Sequence, residues 1–175
     1  MRNSLLLACV LACVAVLAGA AGAAEPSAGV LSVERARGTV VLELRGSVLG
    51  RLGVGTLRVT DLTPRDRFAP LVVGRKLQEE QVGPRTTVYR GQGLRFRMLG
   101  GGYRIVVRGG GISLSAVGRG VVVLQAERRL PGEDAGVYSL DGVDCSLEPE
   151  LCAALPDDPT RLVLGSEDAT IRARP

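Results

Sequence analysis

Apolar and polar residues alternate with a fixed beat between residues 85 and 125. Residues 94–98 read Leu-Arg-Phe-Arg-Met, residues 103–107 read Tyr-Arg-Ile-Val-Val, and residues 112–116 read Ile-Ser-Leu-Ser-Ala. Successive side chains of a β-strand point to opposite faces, so the first, third and fifth positions of each unit share one face. That face carries Leu94, Phe96 and Met98, then Tyr103, Ile105 and Val107, then Ile112, Leu114 and Ala116. The other face carries Arg95, Arg97, Arg104, Ser113 and Ser115. Each unit is therefore a predicted strand, apolar on its buried side. Residues 121–124 are apolar on both sides and predict a strand covered on both.

Four-residue glycine segments separate the units: Arg90-Gly91-Gln92-Gly93, Leu99-Gly100-Gly101-Gly102, Arg108-Gly109-Gly110-Gly111 and Val117-Gly118-Arg119-Gly120. Strand plus loop makes a nine-residue repeat over residues 85–125. Leu52-Gly53-Val54-Gly55, followed by residues 56–60, reads as an isolated earlier copy. Glycine accepts backbone angles that other residues resist, which suits tight reversals. Two architectures satisfy the pattern. In an antiparallel meander, Met98 pairs with Tyr103, Phe96 with Ile105 and Val107 with Ile112, which keeps the apolar face continuous. In a β-solenoid, two units form one coil, so Leu94 stacks on Ile112 and Phe96 on Leu114. Short hairpins are the commoner use of such spacing, and the meander is the preferred expectation.

Elsewhere, residues 38–45 alternate Val40, Leu42 and Leu44 against Glu43 and Arg45, and Leu57 and Val59 continue that sheet. Thr63-Pro64-Arg65-Asp66-Arg67 predicts a turn, residues 70–74 a short strand, Val82-Gly83-Pro84 a break, and residues 136–140 a further strand. Residues 146–155 predict one short helix, with Ser146 as its cap, acids in its first turn and Pro156 beyond it. The expected fold class is all-β: an antiparallel meander of short strands forming a sandwich or barrel-like domain, with one short C-terminal helix; a β-solenoid is the alternative. Glu133-Asp134-Ala135-Gly136-Val137-Tyr138 is similar to the Asp-x-Gly-x-Tyr segment of immunoglobulin-like domains, a resemblance that implies a tyrosine tying a strand corner. Leu140 stands where that family has its second cysteine, and the chain has no tryptophan. The nonapeptide also resembles calcium-binding repeat rolls, but their aspartate is missing from every copy.

Residues 1–24 change the picture of where the protein works. Arg2, an uncharged apolar run over residues 5–18 and the small-residue ending Ala21-Gly22-Ala23-Ala24 predict a cleaved secretory signal, too short in its apolar part to span a bilayer. The expected location is secreted or cell envelope, with no transmembrane segment in the mature chain. Residues 25–37 are then an N-terminal segment, residues 38–140 the β domain, and residues 141–175 an acidic segment. Cys145 and Cys152 fall in that last segment and are expected to form a disulfide in an oxidising compartment.

Composition removes several chemistries. The chain has no histidine, which excludes Ser-His-Asp and Cys-His nucleophile systems and the usual imidazole metal sites. Its five aromatic residues, Phe68, Phe96, Tyr89, Tyr103 and Tyr138, offer little stacking surface, so no nucleic acid is expected as partner. Paired carboxylates at Asp61/Asp66, Asp141/Asp144, Glu148/Glu150 and Asp157/Asp158 all sit beside turn or cap signals. No catalytic residue, metal ligand or cofactor site is assigned. Charge is uneven: residues 25–130 hold 18 basic and 8 acidic side chains, residues 131–175 hold 3 and 10. A solvated, arginine-rich surface accounts for this asymmetry; the alternative is that the acidic tail meets the basic body of the same or another molecule. Arg95, Arg97 and Arg104 form the candidate anion-binding face, since the meander sets Arg97 opposite Arg104. The leading expectation of function is a secreted, non-enzymatic envelope or extracellular structural or binding module. The alternatives are a polyanion-binding protein, with an acidic envelope polymer as partner, and a carboxylate-based hydrolase.

Overall fold

A computed structural model describes residues 29–127 and 134–165. The signal segment at residues 1–24 lies outside them. The described chain is nearly all strand: β1 (Gly29–Asp61), β2 (Leu71–Gly83), β3 (Thr86–Met98), β4 (Gly102–Ala126), β5 (Val137–Ser139), β6 (Ala153–Ala154) and β7 (Thr160–Leu164). All pair antiparallel in one open sheet of order β2-β3-β1-β4-β7, with β5 paired to β1 and β6 to β5. The fold is a sandwich-like all-β domain, as the alternation predicts.

The strands are long and bent rather than short. β1 meets β4 on both of its sides: Val40 pairs with Val107 and also with Leu124, and Ile105 pairs with Leu42 and also with Val59. Partners on the two sides are seventeen residues apart, so the β1–β4 ribbon winds once around in that length. One layer runs through residues 29–36, 112–118, 47–53, 94–98 and 71–73; the other runs through residues 119–126, 38–45, 102–109, 55–61 and 86–91. Their inner faces close one core. Leu31, Leu52, Leu94 and Ile112 enter it from the first layer, and Leu42, Leu57, Ile105 and Leu124 from the second, each fully buried.

The pairings expected within the repeat do not form. Residues 94–98 and 103–107 lie in opposite layers, as do 103–107 and 112–116; each pairs with β1 instead of with its neighbour. A flat meander would leave its apolar face to be covered by something else, whereas a wound ribbon covers its own. The solenoid stacking is met in part. Leu94 and Ile112 share a layer, but Leu52 of β1 stands between them, paired to both. Gly50 stands likewise between Phe96 and Leu114, and a Cβ there would lie 2.4 Å from the Phe96 ring. Phe96 therefore fills the space that Gly50 leaves.

Most of the glycine segments are bends inside continuous strands, not reversals. At Gly55 and Gly109, partners across β1 and β4, φ is 146° and 141°. A Cβ on Gly55 would sit 2.0 Å from the Arg108 carbonyl oxygen, and one on Gly109 would sit 2.1 Å from that of Val54. Only two facing glycines let both strands turn the corner and remain paired.

Two further expectations are corrected. Residues 146–155 are not a helix. A turn after Asp144 leads into a 3-10 turn at Pro149–Leu151 and then β6. The Cys145–Cys152 disulfide holds its Cα atoms 5.9 Å apart, while seven residues of α-helix would separate them by about 10.5 Å. The bridge and a continuous helix exclude each other. The Asp-x-Gly-x-Tyr segment forms a local turn, with the Gly136 amide donating to Asp134 Oδ1 at 2.8 Å, and Tyr138 pairs with Val33 and Ala153. Core residues Phe96, Ile105 and Leu114 are buried as expected, but Ile105 faces the other two from the opposite layer.

Gly109→Ala should cost about 2 kcal/mol or more, since it adds both backbone strain and a backbone clash. Gly83, with nothing near its missing Cβ, is the control, and Gly83→Ala should stay within about 0.5 kcal/mol. Urea titration of both variants measures this; equal midpoints would contradict the paired-bend account. Replacing Cys145 and Cys152 by serine should cost about 2–3 kcal/mol through the entropy returned to the unfolded chain, read from the same titration.

Candidate functional site

The outer face of the first layer is concave. Its floor follows from strand alternation: with Leu52, Leu94 and Ile112 turned inward, Arg51, Arg95 and Ser113 must turn outward. Register then aligns them. Ser113, Arg51, Arg95 and Val73 are successive cross-strand partners, and beside them run Ser32, Ser115, Leu49, Arg97 and Leu71. These two rows floor a groove of about 680 Å³, with Asp144 and Ser146 of the disulfide loop on its rim. A second hollow of about 690 Å³ adjoins it, sharing Arg51, Val73, Arg95 and Ser113 and adding Arg35 and Arg75. Five guanidinium groups thus line one continuous depression.

Arg51 and Arg95 are direct cross-strand partners, a like-charge pairing that costs a sheet some stability. Arg51 turns away to the Glu34 carboxylate at 3.1 Å, and that carboxylate is largely buried. Among the described residues, Arg95 and Arg97 have no acidic partner within ion-pair distance. Glu34 and Asp144 are the acids that line the depression. Asp144 is held below the usual carboxylate range by the Ser146 hydroxyl and amide that donate to it, so it stays charged at the rim. Five arginines against two acids leave a net positive surface in a recess, where the field of charges is focused.

The structure divides the predicted arginine face. Arg95 and Arg97 share the groove. Arg104 belongs to the other layer, pairs in register with Glu43 and Thr60, and lies 4.0 Å from the Glu43 carboxylate. It is not opposite Arg97, because the two units that carry them do not pair. In its place stands Arg51, which sequence reasoning passed over although it directly precedes the isolated Leu52-Gly53-Val54-Gly55 copy. Arg35 arrives through a bulge in β1, where its own φ is 53° and its amide donates to the Ser113 hydroxyl at 3.2 Å. Ser113 is consequently buried rather than on an open polar face.

Two of the carboxylate pairs, Asp61/Asp66 and Asp141/Asp144, hold turns. Asp61 accepts the Thr63 amide at 2.8 Å, and Asp66 accepts the Thr63 hydroxyl at 2.5 Å and the Phe68 amide at 3.0 Å. Asp141 accepts the Ser139 hydroxyl, which holds it below the usual carboxylate range. Tyr103, buried beside the first of these turns, donates its hydroxyl to the Phe68 carbonyl at 2.9 Å. Burial first, then the charges of Asp61 and Asp66, push its pKa above the ordinary 10.0. Among the described residues, no cluster of three or more cysteine and carboxylate side chains is arranged to hold a metal ion.

The chain matches no protein-family model, no curated protein and no solved structure.

Tyr103 is neutral when folded up to a higher pH than when unfolded. Its contribution to stability is complete below about pH 10 and is lost as pH rises through the folded-state value. Stability measured from pH 8 to 12 should fall in the native protein, and Tyr103→Phe should fall less steeply over the same range. Parallel curves would show that Tyr103 carries none of the dependence.

Proposed function

We propose that the protein is an exported, non-enzymatic binding module of the cell envelope or exterior, and that its groove takes an anionic ligand. The observation that carries this reading is the side-by-side presentation of Arg51, Arg95 and Arg97 from two adjacent strands, two of them without an acidic partner among the described residues. Such a surface costs stability when empty and recovers it when an anion bridges the guanidinium groups. The leader-like residues 1–24 and the disulfide support export. The lack of histidine, and the turn-holding roles of the Asp61/Asp66 and Asp141/Asp144 pairs, favour binding over catalysis.

A second reading, contact between the acidic C-terminal segment and the basic body, is favoured by Asp144 at the groove rim and by Asp157 and Asp158 beside Arg108 in a hollow of about 390 Å³. In that reading the acidic segment neutralises the basic body of its own molecule, as these residues do, or that of another copy, in which case the protein self-associates at low salt.

A charge-assisted hydrogen bond contributes about 1.5–3 kcal/mol, so removing several should weaken binding by tenfold or more. Replacing Arg51, Arg95 and Arg97 together by glutamine should lower the salt concentration that elutes the protein from immobilised heparin. Arg104→Gln, on the opposite layer, should elute nearly as the native protein does. Equal elution of the triple variant and the native protein would remove the groove from consideration. Sedimentation at low salt tests the between-molecule form of the second reading, which requires a concentration-dependent dimer.

A further inference from the structure

The groove is graded along its length, and the grading says more than the charge does. It runs across the strands, from residues 29–36 to β2, a span of four strand spacings or about 19 Å. The first end is hydroxyl-bearing and acidic: Ser32, Ser115, Glu34 and, from the rim, Asp144 and Ser146. The middle holds Arg51, Arg95 and Arg97. Within this groove the far end is apolar: Leu71 and Val73 of the edge strand β2 flank Arg97 and Arg95, and each is about half exposed, as is Leu49 across from Arg97, while Arg75 of β2 and Arg35 line the adjoining hollow instead. Half-exposed leucine and valine beside arginines without an acidic partner among the described residues offer an apolar contact that a sugar polyanion leaves unused.

The geometry points to a ligand with the same order of parts. It is an anionic amphiphile in which a phosphodiester joins a hydroxylated head to an apolar chain, as in a single phospholipid of the glycerol-headgroup class. The phosphodiester lies on Arg95 and Arg97. Head hydroxyls donate to Glu34 and Asp144 and exchange hydrogen bonds with the serines. The chain covers Leu71 and Val73 and leaves water at the edge of β2. The inference rests on the anion-binding reading of the same groove and names the class of ligand.

Calorimetric titration with dihexanoyl phosphatidylglycerol, kept below its micelle concentration, tests it against glycerophosphoglycerol, the deacylated compound that keeps the same head and phosphodiester without the acyl chains. Phosphatidylglycerol should bind at least tenfold tighter. Leu71→Ser with Val73→Ser, both at exposed positions, should abolish that advantage and leave glycerophosphoglycerol binding unchanged. Arg95→Gln with Arg97→Gln should weaken both ligands. Equal affinity for the two ligands overturns the amphiphile and leaves the anion-binding reading standing. Binding of a heparin fragment with neither phosphate compound bound does the same. Capture by phosphatidylglycerol vesicles without binding of the monomer overturns it in favour of a membrane-surface contact. No binding of any of these anions overturns both readings.

Discussion

At Gly55 and Gly109 two hydrogen-bonded strands turn the same corner without parting, and the molecule is arranged around that possibility. A side chain on either residue would meet the other strand's carbonyl oxygen at about the length of a hydrogen atom's reach rather than a van der Waals contact. Removing both side chains at one rung of the ladder lets the ribbon pass from one layer to the next with its backbone bonds intact. Long strands then do the work that loops do in an ordinary sandwich. Few polar backbone groups need satisfying at the corners, because the ladder continues through them.

Winding also decides the core. Val40 lies between Val107 and Leu124, and Ile105 between Leu42 and Val59, so neighbours in the core are brought together from turns seventeen residues apart. Each inward row is thereby apolar across several strands without a hairpin joining them. Where the ribbon brings Gly50 between Phe96 and Leu114, the absent side chain is compensated by the aromatic ring laid over it.

The arginine groove is a consequence of the same winding, read on the outside. Inward placement of Leu52, Leu94 and Ile112 forces Arg51, Arg95 and Ser113 outward, and register sets them in one row. The disulfide loop completes the recess. The Cys145 amide donates to the Ser32 hydroxyl at 3.1 Å, which fixes Asp144 and Ser146 against the groove's polar end. The bridge that prevents a helix in this segment thus holds an acid at the rim of a basic surface.

By itself, the alternation of apolar and polar residues determined that Phe96, Ile105 and Leu114 are buried in strands of an all-β sandwich, and that Arg95 and Arg97 share an outer face. The cysteine count in the segment after residue 140 determined the disulfide. These are local properties: the period of a strand and the chemistry of two thiols. Only the tertiary structure decided that Arg104 stands on the opposite layer, that Arg51 joins the groove and Arg35 and Arg75 the hollow beside it, and that Leu52 separates Leu94 from Ile112. A glycine segment of four residues permits either a reversal or a bend, and its local energy barely distinguishes them. The choice is made by which arrangement buries the apolar face, and that depends on partners in β1, some forty residues away from β3 in sequence for the Leu52–Leu94 pair.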